Sequence, residues 1–556
     1  MENRRTLSFL LAAALLVLLY GNSWVGLFES SEARYAEVAR EMAATGDFLS
    51  PQIDYVYHFT KPPLTYWITT LGYALFGETP FGARFFLAVA ALWVLVLTAA
   101  IGSLLEPRRP AWPAAGILAG SLLFFAMGKV LTTDMYLTLW VTAGFFLWLL
   151  REEGRLFPRT FSLLFAAVAA AAFLTKGPIA FLFWALGMVP AALARDRGRS
   201  LRPLADPLLW LAFLLLALPW FVAVGLKHPG LLGFLATHEA TEAAYSAKRF
   251  HPGPWYYYAP VLFLGFLPWW TLLPPSLRRP LSGRKILLLS WAFLPPLLWS
   301  FFPAKLPTYV LPALPAWALL AAEGWEEALA PSRRRALPAL PPLLAGLFAG
   351  ILGFWAGEKI PGGAGGPFVL LTAAGAALGL AGAFLAFRNR RSAALLLALL
   401  AMGAVELSLP HAAAALGDGA KNVKRLGEEL ASLRRPGEAV LEYRVTLFSV
   451  PFYVRDRVAA YDNNFLRKKF VAGRPAHILE DREQLARFAA ENPALWVVTD
   501  GDGEKTLPED LPGLRLVFRE GKHSLWASEA LLRRLRPGKA APPPSAPSGG
   551  GGPGRP

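Results

Sequence analysis

Long apolar stretches alternate with short polar segments over the first 409 residues of the chain. An apolar stretch of this kind is long enough to cross the hydrocarbon core of a membrane as a helix, so we predict about 13 membrane-spanning helices in a transmembrane domain. Their predicted limits are 6–27, 82–104, 112–130, 134–150, 160–174, 178–194, 206–226, 257–276, 285–302, 306–322, 336–356, 367–387 and 392–409. The stretch 160–174 is short for a span, and we expect it to be tilted, buried or partly re-entrant.

Basic residues gather in the polar segments that lie on one side of the membrane if the predicted spans alternate. Positive charge marks the cytoplasmic side. We therefore expect an uncleaved first helix with its N-terminus in the cytoplasm, and an odd number of spans places the C-terminal part outside. The basic clusters are Arg4/Arg5, Arg108/Arg109, Arg151/Arg155/Arg159, Arg195/Arg197/Arg199/Arg202, Arg278/Arg279/Arg284/Lys285, Arg333/Arg334/Arg335 and Arg388/Arg390/Arg391.

Composition agrees with a polytopic membrane protein. Hydrophobic residues make up 55% of the 556 residues and charged residues 17%, and the mean hydropathy is +0.41. The net charge of +16 comes from arginines in short clusters beside apolar stretches, so we expect no nucleic-acid partner. The chain has no cysteine, which excludes disulfides and a thiol site.

The segment Phe28–Trp67 combines acidic, basic and aromatic side chains between two apolar stretches. It begins an extracytoplasmic interfacial loop that we place at residues 28–81. Ser31 is a suitable N-cap for a helix that runs from Glu32 to about Thr45, and Gly46 can end it. One face of this helix is apolar and the other is charged, which predicts a helix lying flat in the membrane interface.

A second juxtamembrane helix is predicted after Lys61, because Pro62 and Pro63 suit the first positions of a helix. Lys61 then lies beside unpaired backbone N–H groups at a helix N-terminus, where a phosphate binds well. On the same side of the membrane we place Asp134, Lys176 and Lys305, which are solitary charges beside proline, glycine or threonine. The histidines of the 227–257 loop lie there too, namely His228, His238 and His251. Any one of these side chains could simply extend its charged group to the membrane interface. Together, however, they indicate a shared polar cavity.

From Pro410 onward the composition is that of a soluble protein. Helix-like stretches at 421–434 and 481–492 alternate with strand-like ones, which predicts a small extracytoplasmic α/β domain over 410–536. The strand-like stretches are 439–443, 495–499, 514–518 and 524–527. The Pro/Gly/Ser-rich tail 537–556 is predicted to be disordered.

An outer cavity with lysines, carboxylates and aromatic rings suits a reaction on a phosphate-linked donor. Lys61, Lys176, Lys305 or Arg34 would attract the donor phosphate. A carboxylate is needed where an acceptor hydroxyl loses its proton. Nucleotide sugars are scarce outside the cytoplasm, so we expect a lipid-linked donor.

The ordered motifs of residues 5–325 resemble those of the bacterial aminoarabinose transferases, within the protein O-mannosyltransferase-like (GT-C) superfamily. The motifs are SEARYAEVAREMAATGDFLSP, HFTKPPLTYW, LTTDM, LTKGP, THEA, HPGPWYYYAP, FLPWW and AKLPTYVLP. The resemblance implies a GT-C fold and an inverting transfer of a sugar from undecaprenyl phosphate to a lipid or protein acceptor. It implies that this transfer takes place on the outer face of the cytoplasmic membrane.

The resemblance also implies roles for individual residues. Arg34, Lys61 and Tyr309 would bind the lipid phosphate and its surroundings. Four further residues occupy motif positions, namely Tyr35, Asp134, Lys176 and Lys305.

Two positions depart from the family pattern. Ser31 stands where the family has an aspartate, so Glu32 or Glu29 would assist deprotonation of the acceptor. Glu32 could instead simply complement the helix dipole, and Arg34 could pair with Glu37 or Glu41. Thr60 replaces a glutamate that a relative uses with a loop histidine to hold a metal. A divalent metal on His238 or His58 is therefore left open, and no other cofactor is expected.

Two other classes of function share these features. A transporter or flippase for lipid-linked sugars would also have many spans and buried charges, although its charges would be expected near the midplane. A catalytically weakened relative with a role in envelope assembly is the third hypothesis, because of Ser31.

Overall fold

The computed structural model describes residues 2–29, 31–108, 110–231, 233, 252–328, 337–357, 365–416, 421–463, 465 and 475–535. They form two compact units, one that ends at Lys424 and one that begins at Arg425. The first unit contains the long apolar helices, and the second contains a mixed β-sheet.

The first unit is built mainly from helices. They are α1 (Glu2–Leu19), α2 (Glu32–Thr45), α3 (Leu64–Phe76), α4 (Pro80–Leu105), α5 (Trp112–Ala119), α6 (Leu122–Met127), α7 (Thr133–Glu152), α8 (Pro158–Lys176), α9 (Ile179–Asp196), α10 (Pro207–Lys227), α11 (Tyr258–Gly265), α12 (Leu273–Ser276), α13 (Gly283–Phe301), α14 (Leu314–Ala328), α15 (Leu340–Gly357), α16 (Gly365–Phe387) and α17 (Arg391–Leu416). Short 3-10 helices span Arg199–Ala205, Trp269–Leu272, Pro307–Ala313 and Leu337–Ala339.

Within the part of the chain that the structure describes, eight helical segments are long and apolar enough to cross a membrane. They are Pro80–Leu105, Thr133–Glu152, Pro158–Lys176, Ile179–Asp196, Pro207–Lys227, Leu337–Trp355, Gly365–Phe387 and Arg391–Leu416. The chain is therefore a multi-pass membrane protein, whereas the total of about 13 spans stays a prediction.

Several predicted spans differ from the observed helices. The stretch 112–130 is divided into α5 and α6, and 306–322 begins as a 3-10 helix that contains Pro312 before α14 starts. Proline lacks the N–H that a continuous helix needs, which explains the second interruption. The stretch 160–174, predicted to be short, belongs to the unbroken 19-residue helix α8.

Helix α2 has the predicted limits but not the predicted cap. Gly46 ends it in the left-handed conformation (φ 69°), with its N–H on the carbonyl of Met42. The side chain of Ser31 makes no capping hydrogen bond. The Glu32 carboxylate instead accepts the N–H of Phe28 at 2.9 Å, so the prediction of a serine cap is wrong.

The charged face of α2 is also buried within the protein. That this helix lies flat in the membrane interface stays a prediction. Glu37 and Glu41 are fully buried, and Arg40 is only 2% exposed. The guanidinium of Arg40 donates two hydrogen bonds to the Glu37 carboxylate, at 2.6 and 2.7 Å. The partner of Glu37 is thus Arg40, rather than the Arg34 that the sequence suggested. Helix α3 covers another side of α2, where the Tyr73 hydroxyl donates to the carbonyl of Ala36.

A small hairpin covers Glu41. Strands β1 (Gln52–Ile53) and β2 (Val56–Tyr57) pair antiparallel across a two-residue turn. Asp54 and Tyr55 in this turn both have positive φ, 51° and 57°, as the twist of a tight hairpin requires. The Tyr55 N–H donates to the Glu41 carboxylate at 2.9 Å, so the hairpin is hydrogen-bonded to α2.

Glu41 makes the stability of the protein depend on pH. Burial, together with the charges of Glu37 and Asp54, holds the pKa of the Glu41 carboxyl well above its usual value. The folded protein keeps this proton where the unfolded chain has lost it, so the free energy of unfolding falls as the pH rises above about 4.5. We expect Glu41→Gln to remove this loss, so that its Tm relative to wild type rises between about pH 4.5 and 8. Thermal unfolding in detergent at several pH values measures this.

The control for this experiment is Glu483→Gln, because Glu483 is an exposed side chain of the second unit (85% exposed). Its Tm difference from wild type should not change with pH. A Glu41→Gln difference that is equally independent of pH would contradict the prediction and would mean that the folded protein binds no extra proton here.

The second unit is a small α/β fold, as predicted. Its strands are β3 (Ala439–Tyr443), β4 (Ala459–Tyr461), β5 (Ile478–Leu479), β6 (Leu495–Asp500), β7 (Arg515–Glu520) and β8 (His523–Ala527). Its helices are α18 (Lys424–Leu433), α19 (Ser449–Val454), α20 (Arg482–Glu491), α21 (Leu507–Asp510) and α22 (Glu529–Leu535).

The sheet of this unit has the strand order β5-β4-β3-β6-β8-β7. β3 pairs in parallel with β4 and β6, and β8 pairs antiparallel with β6 and β7. The four predicted strands are confirmed, and the sequence missed β4 and β5, which are only three and two residues long. Helix α17 continues through Pro410 to Leu416, past the residue at which the sequence suggested the domain boundary.

Candidate active site

Asp134 and Lys176 form an ion pair between two neighbouring helices. Asp134 lies in the first turn of α7 and Lys176 is the last residue of α8. A carboxylate is favoured at a helix N-terminus and an ammonium at a C-terminus, and the antiparallel course of α7 and α8 brings these two ends together. The Lys176 Nζ lies 2.6 Å from the Asp134 Oδ1, with the side chains 15% and 7% exposed.

Two tyrosines complete the surroundings of this ion pair. The Lys176 Nζ lies 5.0 Å from the centroid of the Tyr309 ring, a distance at which a cation is attracted to the ring face. Tyr35 of α2 is close enough to interact electrostatically with both Lys176 and Tyr309. Residues far apart in the sequence, on four separate segments, therefore meet at one place.

Arg34 joins the same group through the tyrosines. Its guanidinium carbon lies 5.7 Å from the centroid of the Tyr35 ring, and the rings of Tyr35 and Tyr66 are 5.8 Å apart. Burial raises the pKa of the Tyr66 hydroxyl, and the charge of Arg34 partly offsets this. We call the six residues Arg34, Tyr35, Tyr66, Asp134, Lys176 and Tyr309 the Lys176 cluster. Tyr66 was missed in the sequence, although it lies in the motif HFTKPPLTYW.

Lys61 lies in the loop before α3, as predicted. Its half-buried side chain donates to the carbonyl of Thr60 at 2.9 Å. The hydroxyl of Thr60 is 2.8 Å from the Nε2 of His58, so these two side chains are hydrogen-bonded. The first backbone N–H groups of α3 follow directly after this loop, and a helix N-terminus with a lysine beside it can bind a phosphate.

Glu32 has an environment different from that of an accessible base. Its Oε1 accepts hydrogen bonds from the Arg84 Nε at 2.8 Å and the Leu131 N–H at 2.9 Å. Its Oε2 accepts from the Arg84 Nη2 at 2.7 Å and the Phe28 N–H at 2.9 Å. Each oxygen thus has two donors and the residue is fully buried, so the carboxylate has no lone pair left for an acceptor proton.

Two other candidate catalytic residues, Ser31 and Glu29, precede α2 at the same end as Glu32. Ser31 is half-buried, and its carbonyl accepts the N–H of Tyr35 at 3.2 Å. Glu29 is half-buried, and its backbone N–H donates to the carbonyl of Lys421 at 2.7 Å. Glu29 therefore remains a candidate for proton transfer, beside a serine that cannot act as a base.

Lys305 is held by the C-terminal end of α13. It is only 3% exposed, and its ammonium donates to the carbonyls of Ser300, at 3.0 Å, and Phe302. These carbonyls lie at the C-terminal end of α13, where a cation is favoured. Lys305 thus uses two of its three N–H groups to hydrogen-bond carbonyls at the end of a helix. Its contact with a donor phosphate stays a prediction.

The predicted metal site remains untested. His238 lies outside the described residues, and His58 is hydrogen-bonded to Thr60. Among the residues that the structure describes, no group of three or more His, Asp or Glu side chains could hold a metal ion.

Comparison with known proteins agrees with the resemblance noted in the motifs. Residues 6–235 match the model of the dolichyl-phosphate-mannose-protein mannosyltransferase family. The undecaprenyl phosphate-alpha-4-amino-4-deoxy-L-arabinose arabinosyl transferase of Aeromonas salmonicida is 35% identical over 277 residues, which are 48% of this chain and 50% of the relative. The enzyme of the same name from Pseudomonas aeruginosa is 33% identical over 307 residues, 53% of this chain and 55% of the relative. The chain spans about half the length of the curated relatives it matches.

Two crystal structures of ArnT from Cupriavidus metallidurans resemble most of the chain. The structure bound to undecaprenyl phosphate has a TM-score of 0.77 at 22% identity and covers 94% of this chain and 97% of its own. The structure in the apo state has a TM-score of 0.79 at 21% identity and covers 96% and 99%. The predicted fold class is therefore confirmed, namely a helical GT-C membrane fold followed by a small C-terminal α/β domain.

Proposed function

We propose that this chain is an integral-membrane glycosyltransferase that moves a sugar from a polyprenyl phosphate to a lipid or protein acceptor. The observation that carries the proposal is the Lys176 cluster, a convergence of two cations, a carboxylate and three tyrosines at the ends of membrane helices. Support comes from the shared fold with a protein whose crystal structure is described as bound to undecaprenyl phosphate. The arabinosyl transferase relatives act on a donor of the same chemical class, according to their names.

The cations of the site would bind the phosphate that links sugar and lipid. Lys176 is held by Asp134 in a position that leaves further N–H groups of its ammonium for a phosphate oxygen. Arg34 lies 5.7 Å from the Tyr35 ring centroid and would supply a forked donor. Lys61, at the N-terminus of α3, would reach the same phosphate from the loop.

The proposed reaction is a substitution at the anomeric carbon of the donor sugar, with polyprenyl phosphate as the leaving group. An acceptor oxygen attacks the anomeric carbon of the sugar, and the bond from that carbon to the phosphate oxygen breaks. The electron pair passes to the phosphate, which leaves as polyprenyl phosphate with one more negative charge. Cations fixed beside that oxygen stabilise the charge as it develops, which is a large term in catalysis. The proton of an acceptor hydroxyl passes to a carboxylate, for which we propose Glu29.

We place this site on the outer face of the cytoplasmic membrane. If the predicted spans alternate, the basic clusters lie on the side opposite to the Lys176 cluster, and positive charge is retained in the cytoplasm. A lipid-linked donor suits that location, because its tail stays in the bilayer while its head group reaches the site.

Reconstitution with a labelled donor tests the proposal. We expect the purified full-length chain in liposomes to convert a polyprenyl-phosphate sugar to free polyprenyl phosphate when an acceptor is supplied, as measured by mass spectrometry. Protein-free liposomes and boiled protein are the controls. Movement of intact donor between leaflets, with no sugar released from it under any acceptor, would reject the transferase and favour a flippase.

A further inference from the structure

Arg84 is a buried arginine near the start of α4, and all of its donors are used. The residue is 1% exposed. The Nη1 donates to the carbonyls of Val25, at 2.7 Å, and Asn22, at 3.2 Å, and the Nη2 donates to the carbonyl of Gly26 at 2.8 Å. Its other two N–H groups go to the two oxygens of Glu32. The five donors of a guanidinium are thereby satisfied.

The Glu32 carboxylate completes this unit from the other side. It accepts two N–H groups of Arg84 and the backbone N–H groups of Phe28 and Leu131. The pair therefore links three segments, namely the loop between α1 and α2, the start of α4 and the residue Leu131 before α7. No donor of Arg84 and no acceptor position of Glu32 remains for a substrate.

The segments that this pair links are those that carry the Lys176 cluster. Arg34 and Tyr35 follow Glu32 in the first turn of α2, and Asp134 lies three residues after Leu131. Hydrogen bonds to a single carboxylate thus connect the segments that carry the two halves of the cluster. A buried ion pair is costly to desolvate and contributes little to stability by itself, whereas geometry at a reacting centre has a large effect on rate.

A second ion pair in the same helix provides a comparison. Glu37 and Arg40 are joined at 2.6 Å, with side chains 0% and 2% exposed, while Glu32 and Arg84 are joined at 2.7 Å with the same exposures. The two pairs have the same chemistry and the same burial. They differ in what they connect, because Glu37 and Arg40 lie one turn apart within α2.

We propose that Glu32 and Arg84 are positioning residues, which hold Arg34 and Tyr35 at the correct distance from Asp134 and Lys176 without contacting the substrate. This inference rests on the proposed glycosyl transfer. It gives Glu32 a role other than that of the general base suggested by its place in the motif, and it adds Arg84 to the residues on which the site depends.

The test compares Glu32→Gln with Glu37→Gln in full-length protein. Both variants keep a side chain of the same size and lose the charge of a buried carboxylate, so we expect similar losses in Tm. We expect Glu32→Gln to lower kcat by about a hundredfold, as a displacement near 1 Å does, with donor KM changed little. Glu37→Gln should stay within about threefold of wild type. The pH–rate profile of Glu32→Gln should keep the acidic limb of wild type, because the base is still present.

Hydrogen exchange provides a readout that does not need activity. The Leu131 amide donates to Glu32. Its exchange rate should be higher in Glu32→Gln than in wild type, and in Glu37→Gln it should equal that of wild type. If Glu32→Gln does not fold, Arg84→Lys serves instead, because an ammonium keeps the charge but cannot replace five forked donors. It should show the same fall in kcat and the same faster exchange.

Three outcomes would overturn the inference. Equal losses of kcat in Glu32→Gln and Glu37→Gln would mean that the pair only stabilises the fold. Loss of the acidic limb in Glu32→Gln would make Glu32 the base. Unchanged exchange at Leu131 would mean that the carboxylate does not hold that segment. Failure of the proposed function is distinct, because it would appear as a wild-type protein that consumes no donor.

Discussion

Lys176→Ala is expected to lower kcat for sugar transfer by about a thousandfold, the upper range for loss of one group that stabilises transition-state charge. The ammonium of Lys176 is held between the Asp134 carboxylate and the Tyr309 ring, and in this partly dry site its charge is poorly screened. The departing phosphate gains a full negative charge as its bond to the sugar breaks. Initial rates of donor consumption in liposomes, at saturating donor, measure the effect.

The matched control is Lys227→Ala. Lys227 also pairs with an aspartate, Asp47, at 2.7 Å, but its side chain is 43% exposed. Exposed pairs contribute at most about 1 kcal/mol to stability, and Lys227 does not touch the Lys176 cluster in the described structure. We expect a kcat within about twofold of wild type. A Lys176→Ala variant that retains more than about a tenth of wild-type kcat would show that the leaving phosphate is stabilised by other residues.

The lysines of this chain show what local sequence can and cannot predict. Lys176 and Lys305 have the same signature, a lone lysine beside proline or glycine at the end of an apolar stretch. Lys176 meets a carboxylate from a neighbouring helix, and Lys305 turns back to the carbonyls of α13. The signature places both at a helix end, but the partner depends on distances between helices that no local pattern contains.

Helix α2 also has some features that local sequence predicts and others that it does not. Its limits could be predicted from Ser31 before its start and Gly46 after its end, because helix start and stop signals are local. The burial of its charged face was not predicted, since periodicity identifies one apolar face and says nothing of further elements that cover the other. The hairpin β1–β2 closes over Glu41, and it carries two positive-φ residues that are not glycine, so the usual sequence signal for such a turn is absent.

Arg84 had a signal in the sequence that was not used. It lies within the predicted span 82–104, and a charged residue in a membrane span indicates a structural or functional partner. Its partner, Glu32, had been given a catalytic role because of its place in the motif. The sequence therefore contained both residues of the pair, but their contact across 52 positions depends on how the fold brings the starts of α2 and α4 together.

Glu29→Gln is expected to lower kcat with a hydroxyl acceptor by about a thousandfold, within the range for a general base. Glu32 and Asp134 are both buried, at 0% and 5% exposed, so their carboxylates are less accessible to an acceptor. Glu29 is half-buried at the turn that leads into α2, two residues before Ser31. Donor KM should change little, because a base acts on the acceptor, and the acidic limb of the pH–rate profile should disappear.

Glu29→Asp and Asp134→Asn separate the base from its neighbours. Glu29→Asp keeps a carboxylate on a shorter side chain and should recover part of the lost rate. Asp134→Asn should act through Lys176, so we expect it to raise donor KM while the acidic limb remains. Full activity of Glu29→Gln on a hydroxyl acceptor would contradict the assignment. Activity of Glu29→Gln on a phosphate acceptor alone would support it, because a phosphate oxygen is already ionised and needs no base to attack the sugar.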